Sequence, residues 1–290
     1  MKKSNLIVAA IAVLVAAAAV TLGAYTNDRM MEKVARKMET DEMASKPMDT
    51  YTLKFLSGIL YQPDQPTPLN FTVVDKDGKR LNYDQYKIEH EKRMHVIVAS
   101  HDLSQFQHVH PIFDTGTNSF TLPGFSFPTA GVYRIFTDFV ADSHNAIDND
   151  KMSDHEGVQY QDVIVGKPSN DEVKPLGPPT NSDIVDGNTI KLTIKPGKSK
   201  TDKVLDFVIA RDSKPVTDIQ KYLGALGHLV VLREGDLEYI HTHALTTDID
   251  SQTGTVSFDV DFKQSGSYKA FAQFQHDNKV LTTSFVVNID

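Results

Sequence analysis

His95-Val-Ile-Val-Ala-Ser-His101-Asp-Leu-Ser-Gln-Phe106-Gln-His108-Val-His110 occurs a second time in the chain, as His228-Leu-Val-Val-Leu-Arg-Glu-Gly-Asp-Leu-Glu-Tyr239-Ile-His241-Thr-His243. His95, His108 and His110 recur as His228, His241 and His243 at one constant offset of 133 residues. Further on, Phe127-Pro-Thr-Ala-Gly131-Val-Tyr133-Arg-Ile-Phe136-Thr-Asp-Phe139 matches Phe262-Lys-Gln-Ser-Gly266-Ser-Tyr268-Lys-Ala-Phe271-Ala-Gln-Phe274 without a gap. Self-similarity at a fixed period means one structural module used twice. Core aromatics account for the second match, since alternate positions of a half-buried strand must be apolar. They do not account for the histidines, which are kept where much of the surrounding sequence has diverged.

Strand geometry gives the histidine spacing its meaning. His108 and His110 are two apart, so on one strand both side chains point to the same face. If Met94 to Ala99 and Phe106 to His110 form a hairpin around Asp102-Leu103, the register that sets His95 opposite His110 places all three imidazoles on one face. Directly opposed Cβ atoms lie ~4.5–5.5 Å apart, close enough for the rings to share one ion at bond lengths of ~2.0 Å. The same register sets His228 opposite His243. A slip of one residue would carry His95 to the other face and break the triad. For a fourth ligand, the strand Tyr268 to Gln275 is expected to bring His276 back toward His228 and His243. In the first copy the insert from Ala141 to His155 offers His144, His155 and Met152. His90 and His101 have no counterpart in the other copy and read as surface residues.

Working outward, short β-type runs separated by turn residues fill both copies. In the first they are Tyr51 to Leu60, Leu69 to Val74, Met94 to Ala99, Phe106 to His110, Ser119 to Phe127, Val132 to Val140 and Val158 to Val165, with tight turns at Asp77-Gly78 and Ala130-Gly131. The second series is Thr189 to Ile194, Val204 to Ala210, His228 to Leu232, Tyr239 to His243, Thr255 to Phe262, Tyr268 to Gln275 and Lys279 to Val287. This strand density predicts an all-β chain of two tandem immunoglobulin-like or cupredoxin-like β-sandwich domains. The modules are expected over residues 51–166 and 188–290. Between them, 167–187 carries Pro168, Pro175, Pro178 and Pro179 and reads as a semi-extended linker.

The N-terminus supplies an address. Lys2 and Lys3 precede Leu6 to Tyr25, a stretch without charge whose length as a helix, at ~1.5 Å per residue, matches a ~30 Å bilayer core. Leu22-Gly23-Ala24 is a poor signal-cleavage site, so residues 6–25 are expected to remain as a transmembrane helix and signal-anchor. With the lysines inside, the rest of the chain lies outside the cytoplasm; cleavage would make it secreted. Residues 27–50 read as a polar, helix-prone stalk holding Met30, Met31, Met38, Met43 and Met48. Thioether sulfur is a soft ligand for Cu(I), although Met also serves as plain filler on a helix near a membrane.

Composition closes several routes. A formal net charge of -8 and the absence of a basic stripe argue against a nucleic-acid partner. There is no Cys, so disulfides, thiolate metal sites, a type-one copper and a Cys nucleophile are all excluded. No nucleophile motif, phosphate loop or acid–base pair points to an enzyme. Imidazole-only sites suit Cu(II), Zn(II) or Ni(II), and the Irving–Williams order favours copper over zinc.

A histidine, an apolar strand, Asp-Leu, an aromatic, His-x-His and an aromatic-rich strand after Gly together resemble bacterial envelope proteins of the YtkA-like and FixH-like families, over residues 51–290. The resemblance implies immunoglobulin-like modules and an association with copper or cytochrome-oxidase assembly. The function expected from the sequence is therefore a membrane-tethered, extracytoplasmic metal-binding protein that captures, buffers or delivers copper through one histidine triad per module. The alternative is a non-catalytic structural module of the cell envelope that presents a surface to another envelope protein.

Overall fold

The computed structural model describes residues 51–141, 155–167, 175–245 and 253–290, without the side chains of residues 155–157, 241 and 243. The anchor at 6–25, the stalk and His144 lie outside the described residues. Among those residues no helix is long and apolar enough to cross a membrane.

The first repeat consists of β1 (Tyr51–Phe55), β2 (Leu60–Tyr61), β3 (Thr67–Asp75), β4 (His95–Ser100), β5 (Phe106–Val109), β6 (Ile112–Asp114), β7 (Ser119–Phe125), β8 (Gly131–Ala141) and β9 (His155–Val165). The second consists of β10 (Ser182–Val185), β11 (Asn188–Pro196), β12 (Asp202–Arg211), β13 (Lys214–Pro215), β14 (His228–Arg233), β15 (Tyr239–His243), β16 (Thr255–Asp261), β17 (Gly266–His276) and β18 (Lys279–Ile289). Alternation explains most of them. In β16, for example, Val256, Phe258 and Val260 are buried while the residues between are not, the period-2 pattern of a strand with one face on a core.

Each repeat folds into two facing sheets. In the first, β1-β3-β7-β6 faces β2-β9-β8-β4-β5; in the second, β10-β11-β12-β13, with β16 also paired to β12, faces β15-β14-β17-β18. The order β9-β8-β4-β5 is repeated as β18-β17-β14-β15, so the duplication read from the sequence is present in the topology. One apolar cluster fills each pair of sheets, with Phe71, Phe120, Phe127 and Ile135 in the first and Phe207, Phe258, Phe274 and Phe285 in the second. Tyr133 and Tyr268 hold equivalent places in β8 and β17. Each donates its hydroxyl to the carbonyl four residues upstream, Thr129 at 3.1 Å and Gln264 at 2.7 Å.

Three boundaries differ from the sequence reading. The expected strand Tyr51 to Leu60 is broken: β1 pairs with β3, whereas β2 crosses to the other sheet and runs parallel to β9. Residues 182–185, read as linker, form β10 and pair with β11. Two short strands, β6 and β13, had no period to announce them.

A third apolar cluster lies between the repeats. Ile97, Ala99, Leu103 and Phe136 pack against Val230, Leu232, Leu237 and Phe271. Phe106 stacks on Phe271 at 4.2 Å between centroids, and Tyr239 lies on Phe136 at 4.8 Å. Phe106 and Tyr239 are equivalent positions, as are Phe136 and Phe271, so this interface has an approximate twofold character. Both histidine-bearing sheets turn their outer faces into it.

Candidate metal centre

β4 and β5 pair antiparallel with Val96 opposite Val109 and Ile97 opposite His108, the register expected from the sequence. Continued by one residue, it sets His95 beside His110. β14 and β15 repeat it, with His228 opposite His243 and Val230 opposite His241. Val96 and Val98 face their own module's core, while Ile97 and Ala99 face the other module. By alternation His95 shares the second face.

His95 is 3 % exposed, and His108 and His110 are half-buried. His95 Nδ1 lies 3.2 Å from His108 Nε2 and 3.1 Å from His110 Nε2. One nitrogen from each of the three rings lies within 4.8 Å of the others. A tetrahedral ion bound at ~2.0–2.1 Å holds its ligand nitrogens ~3.3 Å apart, so the observed spacing fits a shared ion.

The outward nitrogens are already committed. His95 Nε2 is 3.1 Å from the Glu89 carbonyl oxygen; a carbonyl only accepts, so Nε2 carries the proton and Nδ1 presents its lone pair to the triad. His108 Nδ1 is 2.8 Å from Gln273 Oε1. The Gln273 amide is oriented by its own Nε2, which donates to Thr282 Oγ1 at 3.1 Å. His108 Nε2 therefore also offers a lone pair inward. Metal-binding histidines characteristically have the second nitrogen tied to a carbonyl or carboxylate in this way. Burial, with the charges of His95, Lys92 and His228 adding to it, pushes the His110 imidazole down to about 3, which keeps it in the neutral form that ligates.

The other expected ligands have separate fates. His228 repeats the His95 arrangement: it is 1 % exposed, and its Nε2 donates to the Tyr222 carbonyl at 2.8 Å. For His241 and His243 the backbone register is as stated. His276 does not join the triad of its module. It lies three residues beyond Gln273 on β17 and so faces the opposite side of the sheet; its Nε2 is 3.3 Å from Asp218 Oδ1. His155 opens β9 with its backbone opposite Ala141.

Two histidines read as surface residues are placed otherwise. The His90 ring contacts those of His95 at 6.5 Å and His228 at 5.5 Å between centroids. His101 approaches Asp162 Oδ1 at 3.3 Å, beside the Arg134–Asp162 pair. His90 occupies a two-residue turn, Glu89 to Lys92, with φ of 46° at His90 and 65° at Glu91. The same turn recurs from Tyr222 to Ala225, with φ of 52° at Leu223 and 76° at Gly224. The two turns lie at the same 133-residue offset but share no residue, and they supply the carbonyls that hold His95 and His228.

Comparison with known proteins adds a family. No curated protein matches the chain. Among solved structures, the chain is similar over 83 % of its length to trypsin-activated alpha-2-macroglobulin from Escherichia coli, at 13 % identity and a TM-score of 0.26. It is likewise similar over 83 % of its length to the three N-terminal domains of the bacteriophage RB49 outer capsid protein Hoc, at 11 % identity, 70 % coverage of that chain and a TM-score of 0.21. The chain spans only 16 % of that macroglobulin chain, and scores this low carry no argument about fold or function. Residues 46–148 and 183–290 match a family described as a domain of unknown function, DUF8832; the first stretch takes in β1 to β8 and stops short of β9, and the second takes in nearly all of the second repeat. The chain belongs to the DUF8832 family.

Proposed function

We propose that this protein binds a metal ion through His95, His108 and His110, and that copper is the ion it takes. The observation that carries the reading is the convergence of three imidazole nitrogens within 4.8 Å of one another, two of them with the opposite nitrogen fixed by a carbonyl oxygen. Neutral imidazole suits Cu(II) above Zn(II). In this reading the ion is a cargo or a buffered pool. The uncharged stretch 6–25 would tether the chain at the membrane with the modules outside the cytoplasm, and the Met-bearing stalk would lie between. The paired Tyr133 and Tyr268 hydroxyl contacts favour an immunoglobulin-like ancestry for both sandwiches, because a tyrosine corner of this form marks that fold.

Residues from Met48 onward form one compact unit, so the fragment 48–290 is the material for the test. Calorimetric titration with copper(II) sulfate should show saturable uptake well below millimolar, and His108→Ala with His110→Ala should abolish the tighter binding. No uptake below about millimolar would place the affinity weaker than ~4 kcal/mol and refute the reading. The alternative, a non-catalytic envelope module, draws on the apolar interface that holds the two sandwiches together; it predicts a folded protein that takes up no metal.

A further inference from the structure

The triad of the first repeat is not built by that repeat alone. We propose that copper binding and docking of the two modules form a single coupled equilibrium: the docked pair is the high-affinity state, the ion latches it, and parting of the modules releases the ion. The inference rests on the metal-binding reading above and adds to it how the ion is held and let go.

Three observations support it. The first is that the outer wall of the triad belongs to the second repeat. His108 Nδ1 meets Gln273 Oε1 at 2.8 Å, and Gln273 is itself fixed by Thr282 of β18. The His228 ring stands 5.9 Å from that of His108 and 6.5 Å from that of His95 between centroids. Separation of the modules would free the His108 ring and admit water to His95, which is 3 % exposed in the docked pair. Where an outer partner comes from another body, metal affinity depends on the fraction of molecules in which that body is in place.

The second observation is that the supports of the histidines meet each other. A Cβ placed on Gly224 would lie 3.7 Å from Glu91 Oε1, so the turn from Glu89 to Lys92 touches the turn from Tyr222 to Ala225. These are the turns whose carbonyls hold His95 and His228. His90, on the first of them, lies against the His228 ring at 5.5 Å. Docking and imidazole placement therefore share the same residues.

The third lies at the other end of the two hairpins. Leu103, between β4 and β5, and Leu237, between β14 and β15, have φ of 57° and 58°. A bulky side chain is strained in that region, and such strain persists only where the surroundings over-determine it. Both leucines are buried, at 1 % and 2 % exposure, in the apolar cluster between the repeats. Beside that cluster Tyr239 donates its hydroxyl to Asp138 Oδ2 at 3.2 Å, and Arg134 Nη1 donates to the Asp236 carbonyl at 2.9 Å. The contact is specific, yet each module keeps a core of its own, so the two can part without unfolding.

The test is calorimetric titration of fragment 48–290 with copper(II) sulfate, arranged as a double-mutant cycle. Leu103→Asp with Leu237→Asp sets two carboxylates into the apolar contact and should part the modules, read as a larger radius of gyration in small-angle X-ray scattering with an unchanged circular dichroism spectrum. Copper affinity should then fall ~10- to 100-fold, the loss expected when an outer partner is missing. Gln273→Leu should cause the same loss in the docked protein and none in the parted one, where the amide no longer reaches His108. Full affinity in the parted protein, or an equal effect of Gln273→Leu in both backgrounds, would overturn the coupling and leave the triad reading standing. No uptake by the unsubstituted protein would overturn both. If the double variant misfolds or stays docked, copper release from the unsubstituted fragment into EDTA decides the matter. A release rate that levels off as EDTA rises, set by the parting of the modules, supports the coupling; a rate that keeps rising in proportion to EDTA refutes it.

Discussion

Holding an imidazole by its far nitrogen does two things: it selects the tautomer, and it removes ring rotation that would otherwise be lost on binding. Glu89 and Gln273 do this for His95 and His108. Gln273→Ala should consequently reduce Cu(II) affinity ~10- to 100-fold while leaving the circular dichroism spectrum unchanged; equal affinities in the calorimeter would show that the amide is only filler. A second residue-level expectation concerns Asp162. Burial by itself would raise its carboxyl, but hydrogen bonds and charge from Arg134 and His101 outweigh burial and hold it down to about 2. A carboxylate depressed on folding contributes stability that is present above the unfolded value of ~3.9 and lost as pH falls toward the folded one. Denaturant midpoints should therefore decline between roughly pH 4 and pH 2, by on the order of 2 kcal/mol from this group, and Asp162→Asn should flatten that part of the profile. Among single residues, the triad could be read from sequence because His-x-His and one upstream histidine leave few registers. His90 could not, because its counterpart Leu223 is chemically unlike it and only their shared backbone turn relates them. His276 was misplaced because counting residues along β17 to the sheet's end ignored that three steps change the face.

Among elements, β4 and β14 decide the site, and both are apolar on both faces. β4 is buried at every position, since its inner residues meet the module core and its outer ones meet the other repeat. That double burial hid the direction of the triad, although the histidine spacing made the hairpin register legible. A strand with one wet face shows its orientation by alternation, and a strand covered on both sides reads as a continuous apolar run. Removing a large side chain from the outer face tests the arrangement. Phe271 is 4 % exposed and stacked on Phe106, so Phe271→Ala should cost ~3–5 kcal/mol. Thermal unfolding should then split into two transitions as the repeats uncouple; a single unshifted transition would mean that the interface contributes little. Gly227, immediately before β14, is a subtler lever: a Cβ there would lie 2.9 Å from the Phe274 ring. Gly227→Ala should shift the start of β14 and weaken metal binding more than its small effect on secondary structure would suggest.

For the whole molecule, the architecture is a duplicated sandwich whose copies meet through their histidine-bearing sheets. An ion held where two modules meet binds the folded, docked state and not the unfolded chain. At a free concentration of 100 Kd it should stabilise that state by ~2.7 kcal/mol. Melting temperature should rise with Cu(II) in the unsubstituted protein and stay flat when His108 and His110 are both Ala. The twofold relation of the repeats was visible in sequence as a constant offset, whereas their docking was not, because the residues that form it look like ordinary core. X-ray absorption at the copper edge, on fragment 48–290 with one equivalent of Cu(II), tests the triad most directly. The account predicts a nitrogen shell at ~2.0 Å with the outer-shell scattering of three imidazoles, reduced when His95 is replaced by Ala. A shell of oxygen alone, or a spectrum indifferent to His95→Ala, would contradict it.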